Sequence, residues 1–141
     1  MSLKNDEGQN CFKTILSVEK ESNAHQTLKL RSFFRSFGDD VPEDYYNYLR
    51  GEINIEDLYA RHQEEEKIAE STCWQETLGD DESLKERIYD HVNMNTDKGD
   101  PLVLIGGPPC QAYSIIGRSR NSGNKNYVPE EDKRQLLYVE Y

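Results

Sequence analysis

The sequence predicts an open α/β sheet in which strands alternate with helices, and three observations carry that expectation. Phe12 to Val18 is a β-branched, apolar run. Leu30, Phe33, Phe34 and Phe37 fall at i, i+3, i+4 and i+7, which places them on one face of a helix. Leu102, Val103, Leu104 and Ile105 form an unbroken apolar run too short for a helix and bounded by Pro101 and the Gly106-Gly107 pair.

The first run ends at Glu19 and reads as a strand. The helix that follows begins near Ser22, and Gly38 stops it, since a glycine readily takes the left-handed conformation that closes a helix. Pro42 then suggests a turn into a short helix through the tyrosines Tyr45, Tyr46 and Tyr48. Asn54 is a suitable cap for a long helix through Leu58, His62 and Glu64-Glu65-Glu66-Lys67 towards Trp74 and Leu78, ended by Gly79. Ser83 and Glu86 have capping-box spacing, so a further helix should start there and turn Leu84, Ile88 and Val92 inward. Leu102 to Ile105 is expected to be a strand buried on both faces of a parallel sheet. The Gly-, Ser-, Asn- and Arg-rich loop from Pro108 to Asp132 is long enough to suggest a function, and a last helix is expected from Pro129.

Composition narrows the function classes. The 141 residues are 35% hydrophobic and 31% charged, compatible with one ordinary globular domain. Mean hydropathy is −0.92, and no apolar run approaches the ~20 residues that cross a bilayer. No membrane partner is therefore expected, and the cytoplasm is the expected location. Three cysteines, Cys11, Cys73 and Cys110, are widely spaced without a C-x-x-C pair, so neither a disulfide framework nor a metal site is predicted. His25, His62 and His91 likewise lack ligand spacing. The formal charge of −10 opposes nucleic-acid binding by the whole chain. The acids crowd between Asp39 and Asp90, whereas Arg118, Arg120, Lys125, Lys133 and Arg134 follow Cys110 and can face phosphates locally.

Both predicted strand ends carry groups of interest, because open α/β sheets bind ligands outside the carboxyl ends of their strands. Glu19 is placed where an acidic side chain accepts hydrogen bonds from ribose hydroxyls, although a solvated glutamate at a strand end is the commoner case. Gly106-Gly107-Pro108-Pro109-Cys110-Gln111 is sharper. Its glycines and prolines fix a backbone turn that presents one thiol, and the arginines beyond would favour thiolate over thiol. A buried packing cysteine needs neither.

Gly107-Pro108-Pro109-Cys110-Gln111-Ala112-Tyr113-Ser114, followed by Gly117-Arg118, resembles the catalytic motif of the DNA (cytosine-5) methyltransferases, the cytosine-specific enzymes of DNA methylation and restriction-modification. Ile15 to Glu19 resembles that family's second strand with its ribose-binding acid, and Asp132-Lys133-Arg134-Gln135-Leu136-Leu137 its Asp-x-Arg-x-x-Leu segment. The resemblance implies a partial Rossmann-like S-adenosylmethionine-dependent methyltransferase domain with a helical insertion. Its parts would be a cofactor segment at 12–38, an acidic insertion at 39–95, the catalytic strand and loop at 101–128, and the start of a helix at 129–141.

By the same resemblance Cys110 is the nucleophile that adds to carbon 6 of a cytosine rotated out of DNA, after which carbon 5 takes a methyl group from S-adenosylmethionine. Glu19 and Pro109 fall to the cofactor side, with Pro109 shaping the pocket, while Gln111, Ser114, Arg118 and Arg120 fall to DNA. The family's adenine-contacting acid has candidates in Asp80, Asp81 and Glu52, each also a natural turn or cap residue. Nothing before Phe12 resembles the family's Phe-x-Gly-x-Gly turn, and its Glu-Asn-Val strand and recognition domain have no counterpart before Tyr141. The expectation is an internal piece of the catalytic domain, inactive by itself and prone to self-association. Two alternatives stay open: a transfer-RNA cytosine-5 methyltransferase, in which Thr commonly stands where this chain has Ser114, and a non-catalytic relic or assembly module.

Overall fold

The computed structural model describes residues 11–79 and 81–107, with the backbone alone for Glu82. The elements run β1 (Ser17–Glu19), α1 (Ser22–Ser36), α2 (Glu43–Leu49), α3 (Ile55–Arg61), α4 (Gln63–Thr72), β2 (Cys73–Gln75) and α5 (Glu82–Met94). β1 and β2 are parallel, with Ser17 opposite Cys73, Val18 opposite Trp74 and Glu19 opposite Gln75. Parallel neighbours require a crossover, and here it is made of α1 to α4. Helices plus this short parallel sheet make the described part an α/β arrangement.

The core forms inside the crossover. Phe33, Leu58 and Ala69 are fully buried, one each from α1, α3 and α4, and Leu30, Phe37, Tyr45, Tyr48, Ile53, Ile55 and Tyr59 pack around them. Phe33 meets Phe37 and Tyr59 edge-on, with both ring centroids 5.0 Å away, the geometry that aromatic quadrupoles favour. Burying such a side chain contributes about 1.5–3 kcal/mol. The predicted stripe on α1 thus packs around Phe33, with Leu30, Phe34 and Phe37 half-buried and Phe34 lying against Tyr45 at 4.9 Å.

Polar contacts tie α1 to α4. Lys29 Nζ donates to Glu66 at 3.2 Å and Glu70 at 2.8 Å and sits 4.7 Å from the Tyr59 ring centroid. Burial opposes the charge of Lys29, but its hydrogen bonds to Glu70 and Glu66 outweigh it and raise its pKa. Burial also pushes the Tyr59 phenol up to about 12.

Caps and turns follow the sequence in several places. The Asn54 side chain accepts from the Asp57 amide at 2.7 Å and starts α3. Pro42 precedes α2 in extended conformation, and Gly38 at φ 61° turns the chain after α1.

Four expectations need correction. The long helix from Asn54 towards Leu78 is broken at His62, which has φ −130° and ψ 58° and so belongs to neither α3 nor α4. That break lets the chain re-enter the sheet as β2, which places Trp74 on a strand. The first strand is confined to Ser17–Glu19, because its partner is only three residues long, and Phe12 is 67% exposed. α5 is capped by Asp81 and not by Ser83, since the Asp81 carboxylate accepts from the Ser83 amide at 2.8 Å. Leu102 to Ile105, expected as a doubly buried strand, has no ladder partner among the described residues and is exposed throughout. A strand of this type is stabilised by neighbours on both edges and helices on both faces, and the described sheet consists of β1 and β2 alone.

Candidate functional site

The carboxyl ends of β1 and β2 lie side by side, so Glu19 stands beside Gln75 and Glu76. The Glu76 amide donates to the Glu19 carbonyl at 3.2 Å, which extends the ladder one step past the strands. Glu19 is half-buried. Its Oε1 accepts from the Glu21 amide at 2.9 Å, and Glu21 in turn caps α1 by accepting from the Ala24 amide at 2.7 Å. One Glu19 oxygen therefore orders the turn into α1. Among the described residues no donor meets its Oε2, which leaves a carboxylate oxygen able to accept hydrogen bonds from hydroxyl groups.

The chain leaves β2 through Gly79, whose φ of 86° is a conformation glycine adopts without a Cβ penalty. It then reaches Asp81, whose second oxygen accepts from the Ser83 hydroxyl at 2.6 Å. Hydrogen bonds from the Ser83 hydroxyl and amide hold the Asp81 carboxyl below its usual range. Asp81 is therefore a cap, on the segment that follows β2. Asp80 lies outside the described residues. Glu52, the other candidate, sits between α2 and α3 and pairs with Arg50 at 2.9 Å, taking no part in the strand ends.

A group that the sequence reading did not connect packs behind these strand ends. The Trp74 ring has Arg87 stacked at 5.1 Å and His91 edge-on at 5.0 Å, and its indole N–H donates to the Ser71 carbonyl at 3.1 Å. Arg87 also pairs with Glu76 at 3.0 Å. His91 Nε2 lies 3.2 Å from the Ile15 carbonyl, while His25 on α1 makes the equivalent contact with the Cys73 carbonyl at 3.2 Å. The available signal was the α5 spacing of Leu84, Arg87, Ile88 and His91, one helix face that carries polar groups as well as apolar ones. His62 takes a third kind of place, 3.2 Å from Asp44 on α2.

Cys110, Pro109, Gln111, Ser114, Arg118 and Arg120 lie outside the described residues, as do the remainder of the expected loop at 108–132 and the helix from 129. The described chain reaches Gly107, where an added Cβ would meet nothing within 4 Å. Among the described residues no three His, Cys, Asp or Glu side chains are grouped to hold a metal ion. No described helix is long and apolar enough to cross a membrane.

Over an alignment of 147 residues the chain is 28% identical to the type II methyltransferase M.Bpa9945I of Bacillus paralicheniformis, covering 92% of this chain and 32% of that protein. A shorter match, 46% identical over 46 residues, is to a protein of Oceanobacillus iheyensis provisionally named type II methyltransferase M.OihORF3336P; it covers 32% of this chain and 10% of that protein. No family model matches the chain, and no solved structure does. The chain thus spans about a third of the first of these relatives and a tenth of the second.

Proposed function

We propose that this chain carries the nucleophile and part of the cofactor site of a DNA (cytosine-5) methyltransferase. One observation carries the reading: the uninterrupted motif from Gly107 to Ser114, with Gly117-Arg118 after it, lies in a chain most of which aligns with a type II methyltransferase. The parallel strand ends support it, because they set Glu19 at the edge where sheets of this class bind nucleoside cofactors.

In this reading the Cys110 thiolate adds to carbon 6 of a flipped cytosine and makes carbon 5 nucleophilic. S-adenosylmethionine supplies the methyl group that carbon 5 accepts. Loss of the proton from carbon 5 then expels the thiolate and restores the ring. Glu19 accepts hydrogen bonds from the ribose hydroxyls through Oε2, and Pro109 shapes the wall between cofactor and base. Gln111, Ser114, Arg118 and Arg120 meet the DNA as their loop closes. Cytosine also needs an acid at its ring nitrogen. That acid and the glycine turn that cradles the methionine part of the cofactor come, in this proposal, from polypeptide beyond the 141 residues.

Covalent trapping tests the proposal. The chain is incubated with S-adenosylmethionine and a duplex containing 5-fluorocytosine, whose carbon 5 holds no removable proton, so the adduct persists on a denaturing gel. A band that Cys110→Ala abolishes is expected once a polypeptide carrying the glycine turn and the Glu-Asn-Val segment is added. Trapping on RNA but not DNA would redirect the reading to transfer RNA. No band under any of these conditions would sink it and favour a relic.

A further inference from the structure

We propose that Arg87, seated on Trp74, is a positioning residue that holds the end of β1 in the geometry by which Glu19 recognises ribose hydroxyls. This rests on the cofactor reading of Glu19 and deepens it. The argument follows an unbroken set of contacts. The Arg87 guanidinium lies 5.1 Å over the Trp74 ring and donates to Glu76 at 3.0 Å. The Glu76 amide donates to the Glu19 carbonyl at 3.2 Å. Four residues along the same face of α5, His91 also packs against Trp74, with ring centroids 5.0 Å apart, and lies 3.2 Å from the Ile15 carbonyl.

α5 thereby grips β1 at two points, before Ser17 through His91 and after Glu19 through Arg87 and Glu76. A three-residue strand has little ladder of its own to fix its ends. The Glu19 carboxylate accepts from the Glu21 amide at 2.9 Å, so the residue is tied to the α1 turn through its side chain and to Glu76 through its backbone. Freeing Glu76 would let the Glu19 backbone rotate and would spread the directions in which Oε2 points. A guanidinium suits this position because its plane stacks on an indole while its N–H groups still reach a carboxylate.

Isothermal titration of the full chain, supplemented with the polypeptide that carries the glycine turn, with S-adenosylhomocysteine and with its 2′,3′-dideoxy analogue tests the inference. The quantity read is the ratio of the two affinities, which general destabilisation of the chain would not change selectively. Wild type should prefer the hydroxylated ligand about tenfold, and Glu19→Gln should remove most of that preference. Arg87→Met should lower the ratio about threefold or more, with Arg87→Lys recovering part of it. If wild type binds neither ligand, or Glu19→Gln leaves the ratio intact, the cofactor reading itself falls. If Glu19→Gln abolishes the preference but Arg87→Met keeps it, the clamp falls and the cofactor reading stands.

Discussion

Phe33 and Ile105 are comparably apolar, yet Phe33 is fully buried and Ile105 is 86% exposed. Phe33 lies on a helix whose backbone hydrogen bonds are internal, so it needs only one apolar face covered, and α3 and α4 cover it. Ile105 belongs to a run that reads as strand, and a strand depends on other strands for its hydrogen bonds as well as for its burial. The difference teaches that the helical crossover from α1 to α4 supplies its own core, whereas the segment leading to Cys110 depends on neighbours that β1 and β2 do not provide.

The largest expected effect lies in the crossover. Phe33→Ala removes the centre of the aromatic group with Phe37 and Tyr59 and should cost about 3–5 kcal/mol in urea denaturation. A cost below about 1 kcal/mol would mean that α1, α3 and α4 do not share a core in solution, and the comparison would break at its stronger side.

The same contrast explains which features the sequence disclosed. The α1 stripe, the Asn54 cap and the inward Leu84 were readable because helix periodicity and capping act over three or four neighbouring residues. β2 was not. Its three residues, Cys73 to Gln75, follow the Glu64-Glu65-Glu66 run without a turn signal, and what makes them a strand is pairing with β1, more than fifty positions earlier. The helix break at His62 was hidden for a similar reason, since His62 is held by Asp44 on another helix. At the candidate site the sequence singled out Glu19, but the Trp74, Arg87 and Glu76 group exists only once β2 and α5 are placed. Asp81 shows the reverse case, a candidate whose ordinary role as a cap was foreseen and is what the structure contains.

A smaller effect, dependent on pH, probes how the crossover is held together. Burial raises the Asp44 pKa, but hydrogen bonds from His62 and from Arg61, the latter at 2.7 Å, outweigh it and leave the carboxyl below its ordinary value. A carboxyl depressed on folding stabilises the folded state fully above its unfolded pKa, and that contribution is lost as pH falls through the folded value. Wild type should therefore lose stability as pH drops below about 4, and Asp44→Asn should flatten that part of the profile. Parallel profiles for the two proteins, followed by thermal denaturation, would show that Asp44 does not link α2 to the break at His62.

The smallest effect is expected at the exposed segment, and there smallness is the informative result. Leu104 is 72% exposed, so Leu104→Ala should change the stability of the isolated chain by no more than about 0.5 kcal/mol. A loss of about 2 kcal/mol or more would place Leu104 in a core and erase the contrast with Phe33. The same substitution becomes a sharper probe in the trapping mixture, where added polypeptide would provide the strand neighbours. If Leu102 to Ile105 then enters a sheet, Leu104→Ala should weaken assembly by about 2 kcal/mol, roughly thirtyfold in the concentration needed for half-maximal trapping. An unchanged concentration would mean that the segment before Cys110 stays outside any sheet, and the nucleophile would have to be positioned by its loop alone.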